Sequence, residues 1–462
     1  MMTLVATMAG PLVAETWPQF RGPEGSGVVK GVQLPPIWSN EENLAWRSKV
    51  GGKGWSSPIV VGQQVFVTAA EFPGQPRPSG FRRGVSSMRS YRKDSEKLMT
   101  ETAFKLHCLN LADGALQWSR TLATRTPEFT IHPSNTYATG SPATNGEAVF
   151  AHFAAAGIIA ATDLAGKELW ARDIGAFKAG NGFGAGSSLS IGGDLLYLQC
   201  DNDEESFVLA IDPRTGEDRW RVDRETRTSW STPVLWQNHL RAELIVCGAD
   251  TVTSFAPGTG EELWKLSGFG GSFSASPAFD AQRIYFGNSG PGSAGPLTTV
   301  EAGATGRVPY QKGQPSKYSP WARTGSGPGL SSPVAYKGLL YISAGTGILS
   351  CFDTSSGERL YQERLPSAER IAASLWVADD ELYALDEGGT THVIQTGPDF
   401  KVLRQNTIED LFWSTPAVLD RALILRGADY VYCIRQPVEA SESEALPQNR
   451  KLAIAPKNGA GS

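Results

Sequence analysis

Between Pro333 and Tyr361 apolar and polar positions alternate in four short runs separated by polar turns. Pro333–Tyr336 alternates with a period of two, Lys337-Gly338 carries turn chemistry, and Leu339–Ser343 is a second apolar run. Ile348–Phe352 is the third and ends at Asp353; the turn Thr354-Ser355-Ser356-Gly357 leads into a fourth run closing on Tyr361. Short alternating runs joined by tight turns predict one antiparallel sheet of four strands. Such a sheet cannot bury both faces by itself, so the unit predicts neighbours of its own kind.

The neighbours are present. Aligned on the proline of Ser-Xaa-Pro, or the residue in its place, the unit recurs at Pro58, Pro142, Leu189, Pro233, Pro277, Pro333, Leu375 and Pro416. The steps between these markers are 84, 47, 44, 44, 56, 42 and 41 residues, one period interrupted by insertions. A four-stranded repeat of about 40–50 residues is the signature of a propeller blade. A second marker is a glycine followed four residues later by an aromatic: Gly114 and Trp118, Gly166 and Trp170, Gly216 and Trp220, Gly260 and Trp264, Gly306 and Tyr310, Gly357 and Tyr361. Glycine supplies the turn conformation, and the aromatic is large enough to dock one sheet on the next. The seventh unit departs, since Gly397 is followed by Lys401.

Units such as Ala210-Ile211-Asp212-Pro213-Arg214-Thr215-Gly216-Glu217-Asp218-Arg219-Trp220 resemble the tryptophan-docking motif of PQQ-like (quinoprotein-type) propeller repeats. The resemblance covers Leu44 to Ile434 and implies an all-β, eight-bladed β-propeller. The family has two branches, the PQQ-dependent dehydrogenases and the non-enzymatic propeller lipoprotein of the outer-membrane β-barrel assembly machine. The motif is structural, so it predicts fold rather than activity.

Length alone would suggest two or three domains, but the repeat joins residues 44–436 into one ring. The strand Asn43-Leu44-Ala45-Trp46 has no blade before it, and the last unit, Ser414–Ile434, has three strands and no closing aromatic strand. The N-terminal strand is therefore expected to complete the eighth blade. Residues 17–43, including Trp17-Pro18-Gln19-Phe20-Arg21-Gly22-Pro23, form a leader expected to pack on the ring exterior. Residues 1–16 include the apolar, uncharged stretch Met1–Ala14, about the length of a secretion-signal core, and read as a signal for export into the periplasm or medium or as a disordered terminus. No cysteine lies near the N-terminus, so the lipid anchor of the assembly-machine relative is not expected. The tail 437–462 is rich in Pro, Glu, Ser, Gly and Lys and reads as disordered.

A net charge of −5 implies no general affinity for nucleic acid, and no apolar run is long enough to span a bilayer. The five cysteines fall in two slots that otherwise hold small residues: Cys108, Cys351 and Cys433 on third strands, Cys200 and Cys247 at the ends of second strands. They are expected to be free and buried. The five histidines, His107, His132, His152, His239 and His392, show no metal-ligand spacing.

The insertions, Glu71–Ala103, Thr121–Tyr137, Ala171–Gly186, Asn288–Pro296 and Gln311–Gly329, fall between second and third strands or between blades. Both kinds of loop emerge on one face, where binding is expected. The first insertion is basic, with Arg77, Arg82, Arg83, Arg89, Arg92, Lys93 and Lys97 against Asp94 and Glu96. It suits an anionic polymer or an acidic protein surface. Trp55, Trp230 and Trp413 each stand three residues before a marker, at the mouth of the central channel. They serve either as stacking platforms or as a hydrophobic plug. Asp201, Asp203 and Glu205 offer oxygen ligands for Ca²⁺ but lack the glycine and distal glutamate of an EF-hand, and read more simply as a solvated acidic loop.

The leading expectation is a non-enzymatic scaffold outside the cytoplasm that binds a protein, peptide or anionic polymer on its loop-rich face, with no cofactor. The alternative is a quinoprotein oxidoreductase acting on an alcohol or sugar. The resemblance implies for such enzymes PQQ over a Trp at the channel mouth, beside Ca²⁺ and an Asp, commonly capped by an adjacent-cysteine disulfide. This chain has candidate tryptophans but no adjacent cysteines and no haem-type Cys-Xaa-Xaa-Cys-His, and no catalytic residue can be carried over.

Overall fold

The computed structural model describes residues 16–80, 99–290, 293–345 and 347–436. Each repeat forms one antiparallel sheet, and eight sheets build an eight-bladed β-propeller with strands ordered from the central channel outward. Blade 6 illustrates the unit: Val334–Tyr336, Leu339–Ala344, Ile348–Asp353 and Arg359–Arg364. Tyr336 pairs with Leu339 around a two-residue turn in which Lys337 and Gly338 both have positive φ, the turn whose twist matches its strands. Among the described residues the sole helical element is a single 3-10 turn at Gly180–Gly182. No helix among them is long and apolar enough to cross a membrane.

The two sequence markers are parts of one interlock. In blades 1, 2, 3 and 8 the small residue of the third strand faces the docking aromatic across the ladder: Cys108 opposite Trp118, Ala161 opposite Trp170, Ala210 opposite Trp220, Cys433 opposite Trp46. The indole N–H then reaches the next blade, Trp118 donating to Leu164 O at 3.1 Å, Trp170 to Pro213 O at 2.9 Å and Trp220 to Pro257 O at 2.8 Å. The motif glycine of that next blade lies against the ring. A Cβ on Gly216, whose φ is +76°, would stand 2.7 Å from Trp170, so both conformation and contact require glycine there.

Trp46 closes the circle. Leu44–Ser48 pairs with Val431–Arg435 as the outer strand of blade 8, and Trp46 donates to Leu111 O of blade 1 at 2.9 Å. A second circuit runs inside. The residue before each marker is Ser or Thr, and from blade 2 to blade 8 its hydroxyl accepts the N–H of its counterpart one blade earlier. The links from Ser57 through Ser141, Ser188, Thr232, Ser276, Ser332 and Ser374 to Thr415 measure 2.8–3.3 Å.

Three expectations are corrected. Gly306 and Tyr310 are not the closing strand of blade 5: Gly306–Val308 adds in parallel to the outer edge of blade 4, beside Trp264–Leu266. The true closing strand is Ala322–Arg323, within the stretch read as a loop, and Trp321 donates to Thr354 O at 2.9 Å. Asn288–Pro296 is likewise not a loop but the end of a long hairpin, Arg283–Gly290 with Ser293–Glu301.

The leader does not lie on the exterior along its whole length. Thr16–Trp17 pairs with Val60–Val61 on the channel side of blade 1, and Val28–Val29 pairs in parallel with Val377–Ala378 of blade 7. Between them Pro18 O accepts from Thr144 N of blade 2, Gln19 from Ile191 N of blade 3, and Arg21 reaches blades 5 and 6. The leader thus fills the channel at its tight-turn end, because the free edges of the inner strands offer unpaired backbone groups that only another polypeptide satisfies there. It then turns outward and places Trp38, 1% exposed, against blade 7, with Trp38 N donating to Asn406 Oδ1 at 3.2 Å. Blade 7 lacks its own docking aromatic: Val393 faces Arg404, whose Nε donates to Pro36 O. The leader supplies the missing tryptophan.

Candidate binding site at the channel mouth

All five cysteines are free, four buried and Cys200 half-buried. Burial pushes the thiols of Cys108, Cys200, Cys351 and Cys433 up to about 12, which leaves them chemically quiet.

The three tryptophans sit at the loop-rich mouth. Trp55, 4% exposed, donates its indole N–H to Ser134 O at 2.6 Å and stacks on Trp413, ring centres 6.0 Å apart and planes 21° apart. Trp413 is half-buried and donates to Glu387 Oε1 at 2.7 Å. Trp230 is also half-buried, donates to Gly184 O at 2.7 Å and meets Phe183 edge-on at 6.0 Å. Phe183 in turn stacks on His132 at 5.2 Å, and His132 Nδ1 lies 2.6 Å from Ser134 Oγ. Trp413, Trp55, Ser134, His132, Phe183 and Trp230 therefore form one continuous arc (the first and last blades at one end, blade 4 at the other). Burial lowers the affinity of His132 for a proton. His132, Phe183 and Glu387 were not singled out by sequence; the only signal for the first two was their place in the insertions Thr121–Tyr137 and Ala171–Gly186.

Arg82, Arg83, Arg89 and Arg92 lie outside the described residues. The stem of their insertion is described, and Arg77 donates from Nη2 to Asp410 and from Nε to Asp429, each at 2.7 Å. Lys53 reaches Asp429 at 2.9 Å. Burial raises the Asp429 carboxyl, but the hydrogen bonds and charges of Lys53 and Arg77 outweigh it and hold the group below the usual carboxylate range. The stem continues with Ser79 N donating to Pro133 O at 3.1 Å, and Gly80 packs against Leu411 and Glu387, where a Cβ would lie 2.8 Å and 3.0 Å away. The stem thus crosses from blade 1 to the aromatic arc.

Asp201, Asp203 and Glu205 are not brought together as a ligand set. Asp201 is buried beside Arg224 at 3.3 Å and accepts from Gln199 at 2.7 Å; burial raises its carboxyl above the usual range. Asp203 accepts from Thr228 Oγ1 at 2.7 Å, and Glu205 pairs with Arg221. Among the described residues no three His, Cys, Asp or Glu side chains are grouped to hold a metal.

The propeller of BamB from Moraxella catarrhalis superposes with a TM-score of 0.51 and 14% identity, over 72% of this chain and 89% of that one. Quinohemoprotein alcohol dehydrogenase from Comamonas testosteroni gives 0.56 and 11%, over 96% and 83%, and Sqt1 from Saccharomyces cerevisiae 0.54 and 11%, over 88% and 100%. Likeness at this identity reports the fold alone. No curated protein matches the chain by sequence. The model of the family described as outer membrane protein assembly factor BamB matches residues 74–222 and 204–324, together more than half of the chain. The chain belongs to this family of PQQ-like β-propellers.

Proposed function

We propose that the chain is a non-enzymatic scaffold, periplasmic or secreted, that holds an extended segment of a protein partner across the mouth of its channel. The observation that carries this reading is the aromatic arc. All three indole N–H groups are already committed to protein acceptors, so the arc offers ring faces and edges rather than donors. That chemistry suits apolar, aromatic or proline side chains of a peptide. The leader blocks the other end of the channel, which leaves the loop-rich face as the approach. The basic insertion, whose stem reaches the arc at Ser79 and Gly80, adds attraction for an acidic segment or polymer.

A quinone cofactor fits these residues poorly. One face of Trp55 is taken by Trp413, and Asp201, Asp203 and Glu205, the carboxylates suited to calcium, each have another partner. No reaction step is assigned on that basis.

The test places a photo-crosslinking amino acid at Phe183 in the full chain, expressed in the cell envelope. Cross-links to defined peptides of a protein, lost when Trp230→Ala is added without a change in melting temperature, support the reading. Stoichiometric quenching of tryptophan fluorescence by PQQ with Ca²⁺, together with dye reduction by an alcohol or sugar, overturns it in favour of the oxidoreductase.

A further inference from the structure

The interior of the channel carries a second kind of chemistry. Each inner strand begins at a marker residue, and six of the eight markers are proline. Proline brings an acceptor to the strand edge and no donor. Arg21 of the leader answers these acceptors: Nη1 donates to Pro277 O at 2.9 Å, and Nη2 donates to Ser26 O at 2.7 Å and also to Pro333 O. The next marker carbonyl, Leu375 O, is backed by Gly27, where a Cβ would lie 3.0 Å from that oxygen and 3.3 Å from Arg21 Nε. The guanidinium is 2% exposed, and burial is the sole influence on its proton affinity, which falls to about 9. Among the described residues no carboxylate pairs with it, and its partners are backbone dipoles. Arg21 also has φ +64°, a left-handed conformation that non-glycine residues adopt only where the surroundings impose it.

A buried cation without a counter-charge persists only where dipoles replace its water shell. Here the dipoles are carbonyls on adjacent blades, and a planar fork with parallel donors spans them, whereas an ammonium is a point charge that does not. We propose that the marker carbonyls inside the channel form a guanidinium-binding site, filled by the chain's own Arg21, and that its occupancy locks the leader across blades 5, 6 and 7. The ligand class is guanidinium, free or on an arginine side chain. The site is built from residues other than those of the aromatic arc and does not depend on the scaffold reading.

The experiment is chemical rescue in the full chain. Arg21→Ala is expected to melt about 5 °C or more below the unmutated protein. Guanidinium chloride up to about 20 mM, far below denaturing concentrations, is expected to raise the melting temperature of the variant in a saturable way. The same salt leaves the unmutated protein unchanged or slightly lower, and KCl at equal concentration rescues neither. Arg21→Lys keeps the charge without the fork and is expected to melt low and to be rescued likewise. If neither variant folds unaided, the readout is refolding yield, higher with guanidinium than with KCl. Identical responses to the two salts, or a Lys variant as stable as the unmutated protein, overturn the proposal.

Discussion

Trp38→Ala isolates the contribution of the leader to the ring. The indole is 1% exposed and belongs to the same buried cluster as Tyr383 and Val393 of blade 7 and Phe412 and Tyr432 of blade 8. An aromatic of this kind buries on the order of 200 Å², which at about 25 cal/mol per Å² gives an upper bound near 5 kcal/mol. Truncation of a buried Trp to Ala commonly costs about 3–5 kcal/mol. Its Nε1 is buried and has no hydrogen-bond partner among the described residues, so Trp38→Phe loses no bond and is expected to cost only about 1 kcal/mol. Urea unfolding followed by far-UV circular dichroism is the assay. With a slope of about 3 kcal/mol/M, the alanine variant shifts the midpoint by roughly 1 M. Leu403→Ala, in the same blade but 37% exposed, is the control and shifts it little. Amide exchange in Val402–Thr407 should accelerate in the alanine variant. A midpoint shift no larger than that of Leu403→Ala would refute the view that Trp38 stands in for the missing docking residue.

The glycine interlock predicts that Gly216→Ala, which drives a Cβ to 2.7 Å from Trp170 at φ +76°, costs at least about 2 kcal/mol. Gly306→Ala, with nothing within 4 Å, costs only the backbone strain, about 1–2 kcal/mol, and paired urea titrations separate the two. The cysteines, with thiols raised by burial, should label slowly with a maleimide at pH 8, and all five should react after denaturation. His107 and His152 are buried and held down to about 4 from an ordinary 6.5 by desolvation. Unfolding lets them take protons, so the stability they contribute is full above pH 6.5 and is lost as pH falls from 6.5 toward 4, on the order of a few kcal/mol in all. Combining His107→Gln with His152→Gln should flatten that acid limb of the melting-temperature profile, and an unchanged slope would count against the assignment.

Much of the fold was legible because propeller packing repeats in sequence whatever it repeats in space. The small-residue slot at Cys108, Ala161 and Ala210 was visible as a pattern, and its cause is the aromatic opposite on the neighbouring strand. The Ser or Thr before each marker was equally visible in all eight units, and its role as a hydrogen-bond relay emerges only when the blades stand side by side. Blade 5 was misread because Gly306 and Tyr310 imitate the docking motif at the right spacing; spacing carries no information about which sheet edge a strand will join. The gap at Lys401 was legible, but its remedy was not, since Trp38 lies more than 350 residues away in sequence. Of the site, the three tryptophans were legible by register, whereas His132 and Phe183 sit in irregular loops that no periodicity reaches.

The position of the arc links the site to the way the ring closes. Trp55 comes from the first blade and Trp413 from the loop entering the last, so their stack exists only when the two ends of the repeat array meet. Other contacts hold the same seam: Ser414 Oγ donates to Trp55 O at 2.9 Å, buried Arg426 reaches Ser56, and Arg77 with Lys53 clamps Asp410 and Asp429 of blade 8. A propeller blade gains most of its stability from its neighbours, and the seam is the one interface where neighbours are not also consecutive in sequence. Ring closure and assembly of the aromatic site are therefore one event. The leader is part of it at both ends, pairing with blade 1 through Thr16–Trp17 and completing blade 8 through the strand that follows it, Leu44–Ser48. Loss of the leader should weaken the mouth as well as the tight-turn end it fills.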